Sequence, residues 1–114
     1  MANAYIHFID IVEDSKRVNP AASLGNIELQ LLQLILLEHS KGQSLLVGNL
    51  ISLSHIGSPA TLHGRIKSLI SLGYLKLVQD QSDARKKFVA PTNLAEKYSV
   101  FMSQCLVKAA KKGK

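Results

Sequence analysis

The sequence is short of the residues that build staples, cofactor sites and membrane spans. Its single cysteine, Cys105, excludes an intramolecular disulfide and leaves no thiol pair for zinc or redox chemistry, which fits a reducing compartment. Cys105 reads instead as a small buried hydrophobe. Tryptophan is absent and aromatic residues make up 5% of the chain, so a core must come mainly from Leu, Ile and Val. No apolar run approaches the roughly 18 residues of a membrane span. The richest run, 29–37, is interrupted by Gln30 and Gln33. Asp10, Glu13 and Asp14 follow too soon for a secretory leader, and a cytoplasmic protein is expected. His7, His39, His55 and His63 share no short ligand spacing, and no Gly-x-Ser-x-Gly, Walker loop or dinucleotide fingerprint occurs. No catalytic residue, metal site or cofactor is therefore assigned, and the chain does not read as an enzyme.

What is present fits one small domain spanning all 114 residues, with 46% hydrophobic residues to supply its core. The chain is organised around the stretch from Ser44 to Pro91. Ser58 is a good helix N-cap and Pro59 suits the first helical position, where a missing N–H is no loss. Leu62, Ile66, Leu69, Ile70 and Gly73 then recur at i, i+4, i+7, i+8 and i+11, which predicts an amphipathic helix stopped at a glycine. Its other face carries Ala60, Gly64, Lys67 and Ser71, flanked by His63 on one side and by Thr61, Arg65 and Ser68 on the other. No acid occurs on this helix. Leu46, Val47, Leu50 and Ile51 form a shorter amphipathic run before it, joined by the turn Ser54-His55-Ile56-Gly57. After it, Tyr74 to Val78 and Lys87 to Ala90 read as two strands around a polar loop, ended by Pro91. Helix, turn, helix and a two-stranded wing make a winged helix-turn-helix.

Charge is distributed unevenly along the chain. Residues 1–54 hold three Lys/Arg against five Asp/Glu, residues 55–91 six against two, and residues 92–114 five against one. Positive charge concentrated on a helix-turn-helix and wing is the electrostatic footprint of a nucleic-acid binder. Arg85, Lys86 and Lys87 are consecutive in the wing.

Taken in order, residues 1–20 predict an N-terminal amphipathic helix. Tyr5, Phe8, Ile9 and Val12 share a face, Glu13 is placed to pair with Arg17, and Asn19-Pro20 ends the element. Residues 26–91 form the winged-helix core, in which Asn26 is expected to cap a helix running to about His39 that is apolar nearly all round and hence central. Residues 92–109 predict a last helix, with Asn93 and Glu96 resembling a capping box and Leu94, Tyr98, Phe101, Met102 and Cys105 forming its stripe. Residues 110–114 read as a basic tail. Val100 and Val107 fall opposite that stripe, so together with Tyr5, Phe8, Ile9 and Val12 they form a candidate dimerisation surface.

Ser58-Pro59-Ala60-Thr61-Leu62, Leu69-Ile70-Ser71-Leu72-Gly73-Tyr74-Leu75, Asp83-Ala84-Arg85 and Val89-Ala90-Pro91-Thr92 resemble the helix-turn-helix and wing of the MarR-type transcriptional regulators. The resemblance covers about half the chain and is most specific at the Asp-x-Arg of the wing. Gly64 and Arg65 stand at positions where that family varies, and Ala95 replaces a glycine often found there. The resemblance implies a mainly α fold with a small β-wing, a homodimer formed by interlocked terminal helices, and entry of Arg85 into the DNA minor groove. One helix follows the wing where two are usual, so the expected dimer interface is smaller or differently built. The expected partner is double-stranded DNA. Ser58 and Thr61 would meet phosphate or base edges, His63 and Lys67 base edges or backbone, and Gly64 would permit close approach in the major groove. Asp83 would hold the Arg85 guanidinium, with Lys86 and Lys87 beside it. A winged helix that docks protein instead of DNA is the alternative. Operator sequence and effector, if there is one, are not encoded in any motif found.

Overall fold

A computed structural model describes residues 2–112. Its elements are α1 (Ala4–Asp14), α2 (Asn26–Ser40), β1 (Leu45–Leu46), α3 (Val47–Ile51), α4 (Pro59–Ser71), β2 (Leu75–Gln79), β3 (Lys87–Pro91) and α5 (Asn93–Lys112). The chain divides into two compact units. One is Leu24–Ala95; the other joins the chain up to Ser23 with the stretch from Glu96 onward.

In the Leu24–Ala95 unit the apolar spacing of the sequence becomes a core. Leu31, Leu32 and Ile35 of α2, Leu50 of α3, and Leu62, Ile66 and Leu69 of α4 are buried. Helix α2 packs against both α4 and β3, which explains why its apolar residues run nearly all round. Each such Leu or Ile contributes about 1.5–3 kcal/mol by leaving water. The sheet is antiparallel in the order β1-β3-β2. Val89 is its centre, paired with Leu45 on one side and Leu77 on the other, and it is buried.

Several local expectations are corrected. Leu46, expected to begin the short helix, instead forms a strand with Leu45, because the free edge of β3 recruits the pair in register with Val89 and Phe88. Helix α3 is accordingly short, its entry held by Asn49 Oδ1, which accepts the Leu46 N–H at 2.9 Å. Helix α2 is capped by Gly25 in extended conformation, and Asn26 is already its first helical residue. Helix α5 is capped by Thr92 and not by Asn93: Thr92 Oγ1 accepts the Ala95 N–H and donates to the Gly73 carbonyl. That second bond ties the end of the wing to the turn that follows α4.

In the other unit, α1 opens on Asn3, whose Oδ1 accepts the Ile6 N–H at 3.0 Å, and ends at Asp14, before the Asn19-Pro20 expected to stop it. Glu13 pairs with Lys16 instead of Arg17, at 3.8 Å and well exposed, so it adds little stability. Helix α1 buries no residue fully. Along α5, Tyr98, Cys105 and Ala109 are buried, whereas Val100, Leu106 and Val107 are more than half exposed. The helix continues to Lys112, past the expected stop at Ala109. Gly113 and Lys114 of the expected basic tail lie outside the described residues.

Candidate nucleic-acid interface

Helix α4 is set by its own ends. Ser58 has extended backbone and its Oγ accepts the Thr61 N–H at 3.2 Å, with Pro59 in the first turn. At the other end Gly73 takes φ +91°, a left-handed conformation that favours glycine, and the Tyr74 N–H returns to the Leu69 carbonyl. With Leu62, Ile66 and Leu69 buried, the opposite face must point outward. Pro59, Ala60, His63, Gly64, Lys67 and Ser71 are all exposed. Nothing lies within 4 Å of where a side chain at Gly64 would begin, so this stretch of the helix surface is open. The Ser58 hydroxyl also donates to Thr61 Oγ1 at 3.0 Å, so these two candidate contact groups are partly satisfied by each other. Arg65 leans the other way, its guanidinium 3.8 Å from Glu28 at the start of α2.

The wing is closed by a set of short-range bonds. The Asp80 N–H donates to the Lys86 carbonyl and the Lys86 N–H to the Asp83 carbonyl, both at 3.0 Å. Gln79 Nε2 donates to the Ala84 carbonyl at 2.9 Å. Asp80 Oδ2 accepts both the Ser82 hydroxyl, at 2.7 Å, and the Asp83 N–H, at 2.9 Å. The Ser82 bond is the main reason the Asp80 carboxyl titrates below its ordinary range, assisted by backbone N–H groups and by nearby Lys86. Asp83 in turn accepts three N–H donors of Arg85: the backbone N–H at 3.0 Å, Nε at 3.2 Å and Nη2 at 3.4 Å. The Arg85 side chain is 91% exposed and that of Asp83 30%. So exposed an ion pair is worth less than about 1 kcal/mol of stability; its effect is to fix the direction of the guanidinium.

His63 and Lys67 of α4 and Arg85, Lys86 and Lys87 of the wing line one open concavity, together with apolar Ile66, Ile70 and Leu77. No acid lines it. Five of the expected contact residues are thereby brought together from two separate stretches of chain. Thr61 and Gly64 lie in the N-terminal half of α4, Ser58 caps it, and Asp83 accepts the Arg85 guanidinium. Sequence reasoning missed the wing-tip brace of Gln79, Asp80 and Ser82, although an Asp two residues before a Ser in a polar loop is a recognisable turn signal. Among the described residues there is no group of three His, Cys, Asp or Glu able to hold a metal, and no helix long and apolar enough to cross a membrane.

This order of helices and strands is shared with solved structures of transcriptional regulators. The chain has the fold of the MarR-type winged-helix regulators. It is similar to the adhesin competence repressor AdcR of Streptococcus pyogenes, with a TM-score of 0.56 and 23% identity over 84% of this chain and 68% of that one. The transcriptional regulator Tm0710 of Thermotoga maritima matches with a TM-score of 0.56 and 19% identity, over 96% and 81% of the two chains. BpsR of Bordetella bronchiseptica, whose DNA binding is regulated by 6-hydroxynicotinic acid, matches with a TM-score of 0.51 and 22% identity, over 93% and 73%. No protein-family model and no curated protein matches the chain by sequence. The concavity lies between α4 and the β2–β3 hairpin, the second helix and the wing of the winged helix-turn-helix.

Proposed function

We propose that the protein binds double-stranded DNA in a sequence-specific manner as a transcriptional regulator. Helix α4 enters the major groove, and Arg85, held by Asp83, enters the minor groove beside it. The observation that carries this reading is the acid-free concavity lined by His63, Lys67, Arg85, Lys86 and Lys87. Such a surface attracts phosphates without selecting sequence; selection then falls to the groups on the exposed face of α4, Ser58, Thr61, His63 and Gly64. The protein acts as a homodimer through its terminal helices, which leave Tyr5, Ile9, Val100 and Val107 exposed while Phe8 and Val12 are half-buried. Two-fold pairing covers the same patch on both chains and presents two copies of α4 to a pseudo-palindromic site, about 34 Å apart. A small organic effector belongs to the proposal by analogy with BpsR, its identity open.

The test is an anisotropy titration of the purified protein against labelled duplex and single-stranded DNA, including duplex from upstream of its own gene. Saturable binding that prefers the duplex and that Arg85→Ala weakens supports the proposal. A well-folded protein that binds no duplex overturns it in favour of a protein-docking winged helix.

A further inference from the structure

Asp80 belongs to no contact surface, yet the bonds of the wing converge on it. One oxygen, Oδ2, accepts both the Ser82 hydroxyl and the Asp83 N–H. Asp83, whose backbone is fixed in this way, is the residue that holds Arg85 through three N–H donors. Gln79 clamps the carbonyl of the intervening Ala84 from the same side of the hairpin. The Asp80 main-chain N–H closes the loop on the Lys86 carbonyl. Resting on the proposed DNA-binding function, we infer that Asp80 is a positioning residue for DNA recognition: it sets the aim of Arg85 through Asp83 without touching the duplex.

Electrostatics and positioning predict opposite signs for its removal. Asp80 is a negative charge close to Lys86, in a wing whose proposed partner is polyanionic. If it acted only through charge, deleting it would tighten binding to every duplex, because a repulsive carboxylate disappears. As a positioning residue its deletion loosens the Arg85 guanidinium, and the ordering of a long flexible side chain must then be made up at the moment of binding. Because a single oxygen takes both bonds, the carbonyl oxygen of asparagine can replace it without the charge.

The experiment compares wild type, Asp80→Ala, Asp80→Asn, Arg85→Ala and the Asp80→Ala/Arg85→Ala double variant. Each is titrated by fluorescence anisotropy against one duplex, selected by the wild-type protein from a random-sequence pool, with circular dichroism melts to confirm folding. Asp80→Ala is expected to bind on the order of tenfold more weakly, approaching Arg85→Ala. Asp80→Asn should retain wild-type affinity or exceed it. The double variant should be no weaker than Arg85→Ala alone, since a residue that acts through Arg85 has nothing left to act on. Tighter binding by Asp80→Ala, or a double variant whose loss is the sum of the two single losses, would overturn the inference while leaving DNA binding intact. Absence of any duplex binding by the wild type would overturn the proposed function itself, and this inference with it.

Discussion

The two units of the chain handle apolar surface differently. In Leu24–Ala95, α4 packs against both α2 and α3, and Leu31, Leu32, Ile35, Leu50, Leu62, Ile66 and Leu69 are buried there. The terminal unit has stripes of the same kind in sequence, but α1 buries no residue fully and Tyr5, Ile6, Ile9, Val18, Val100, Leu106 and Val107 remain exposed. Amphipathic periodicity predicts that a helix wants a partner surface; it does not say whether the same chain supplies it. The winged-helix unit also leaves Leu37, Leu72, Leu77 and Val78 exposed, but its helices bury a core of Leu and Ile that α1 lacks. The proposed homodimer would cover the exposed face of the terminal unit, and the two units therefore differ in what mutation should do to them.

The largest effect is expected from deleting residues 1–18. Loss of the exposed face of α1 should give a monomer by sedimentation, with duplex affinity down roughly hundredfold or more, because two linked half-site contacts become separate ones. A full-length protein that is itself monomeric at micromolar concentration removes the dimer from the account. Next come paired substitutions in the two units. Leu62→Ala opens a cavity in a finished core and should cost about 2–5 kcal/mol of stability in denaturant titration. Val107→Ser should leave the unfolding of a dissociated chain nearly unchanged while weakening self-association. Comparable costs for both would show that the terminal unit is as fully packed as the other.

Within the winged-helix unit, Arg85→Ala should weaken specific binding by about 1–3 kcal/mol without lowering the melting temperature, since its side chain is 91% exposed and bonds to Asp83 in the wing. The smallest effect concerns pH. Asp80 has a folded-state pKa below its unfolded value, so its contribution to wing structure is complete above the unfolded value and is lost as pH falls through the folded one. The Asp80 side-chain carboxyl resonance should therefore titrate with a midpoint below that of an unfolded aspartate. A midpoint at or above that of an unfolded aspartate would mean that the Asp80 bonds are not formed in solution.

The contrast between the units also explains what could be read from sequence. Helix α4 was legible at both ends because Ser58, Pro59 and Gly73 act locally, each within a turn of the residues it governs. The wing was legible from its polar loop and from Pro91. Strand β1 was not, because Leu45 and Leu46 become a strand only when β3 offers an edge more than 40 residues later. Thr92 was half read: its place before a helix was visible, but its bond to the Gly73 carbonyl depends on the fold. At the candidate interface, residue types and spacing picked out His63, Lys67, Arg85, Lys86 and Lys87, and the fold put them around one concavity. The withdrawal of Arg65 toward Glu28 could not be read, because α2 is distant in sequence and its approach is set by core packing.

If the concavity meets DNA phosphates as proposed, duplex affinity must depend steeply on salt. Lys67, Arg85, Lys86 and Lys87 are the permanent cations that line it. The slope of log K against log salt should be about −4 if one chain's four cations are engaged and about −7 if two chains' are. Replacing all four with alanine in a folded protein should bring the slope close to zero. A wild-type slope near zero, or a steep slope that survives the fourfold replacement, would contradict the account.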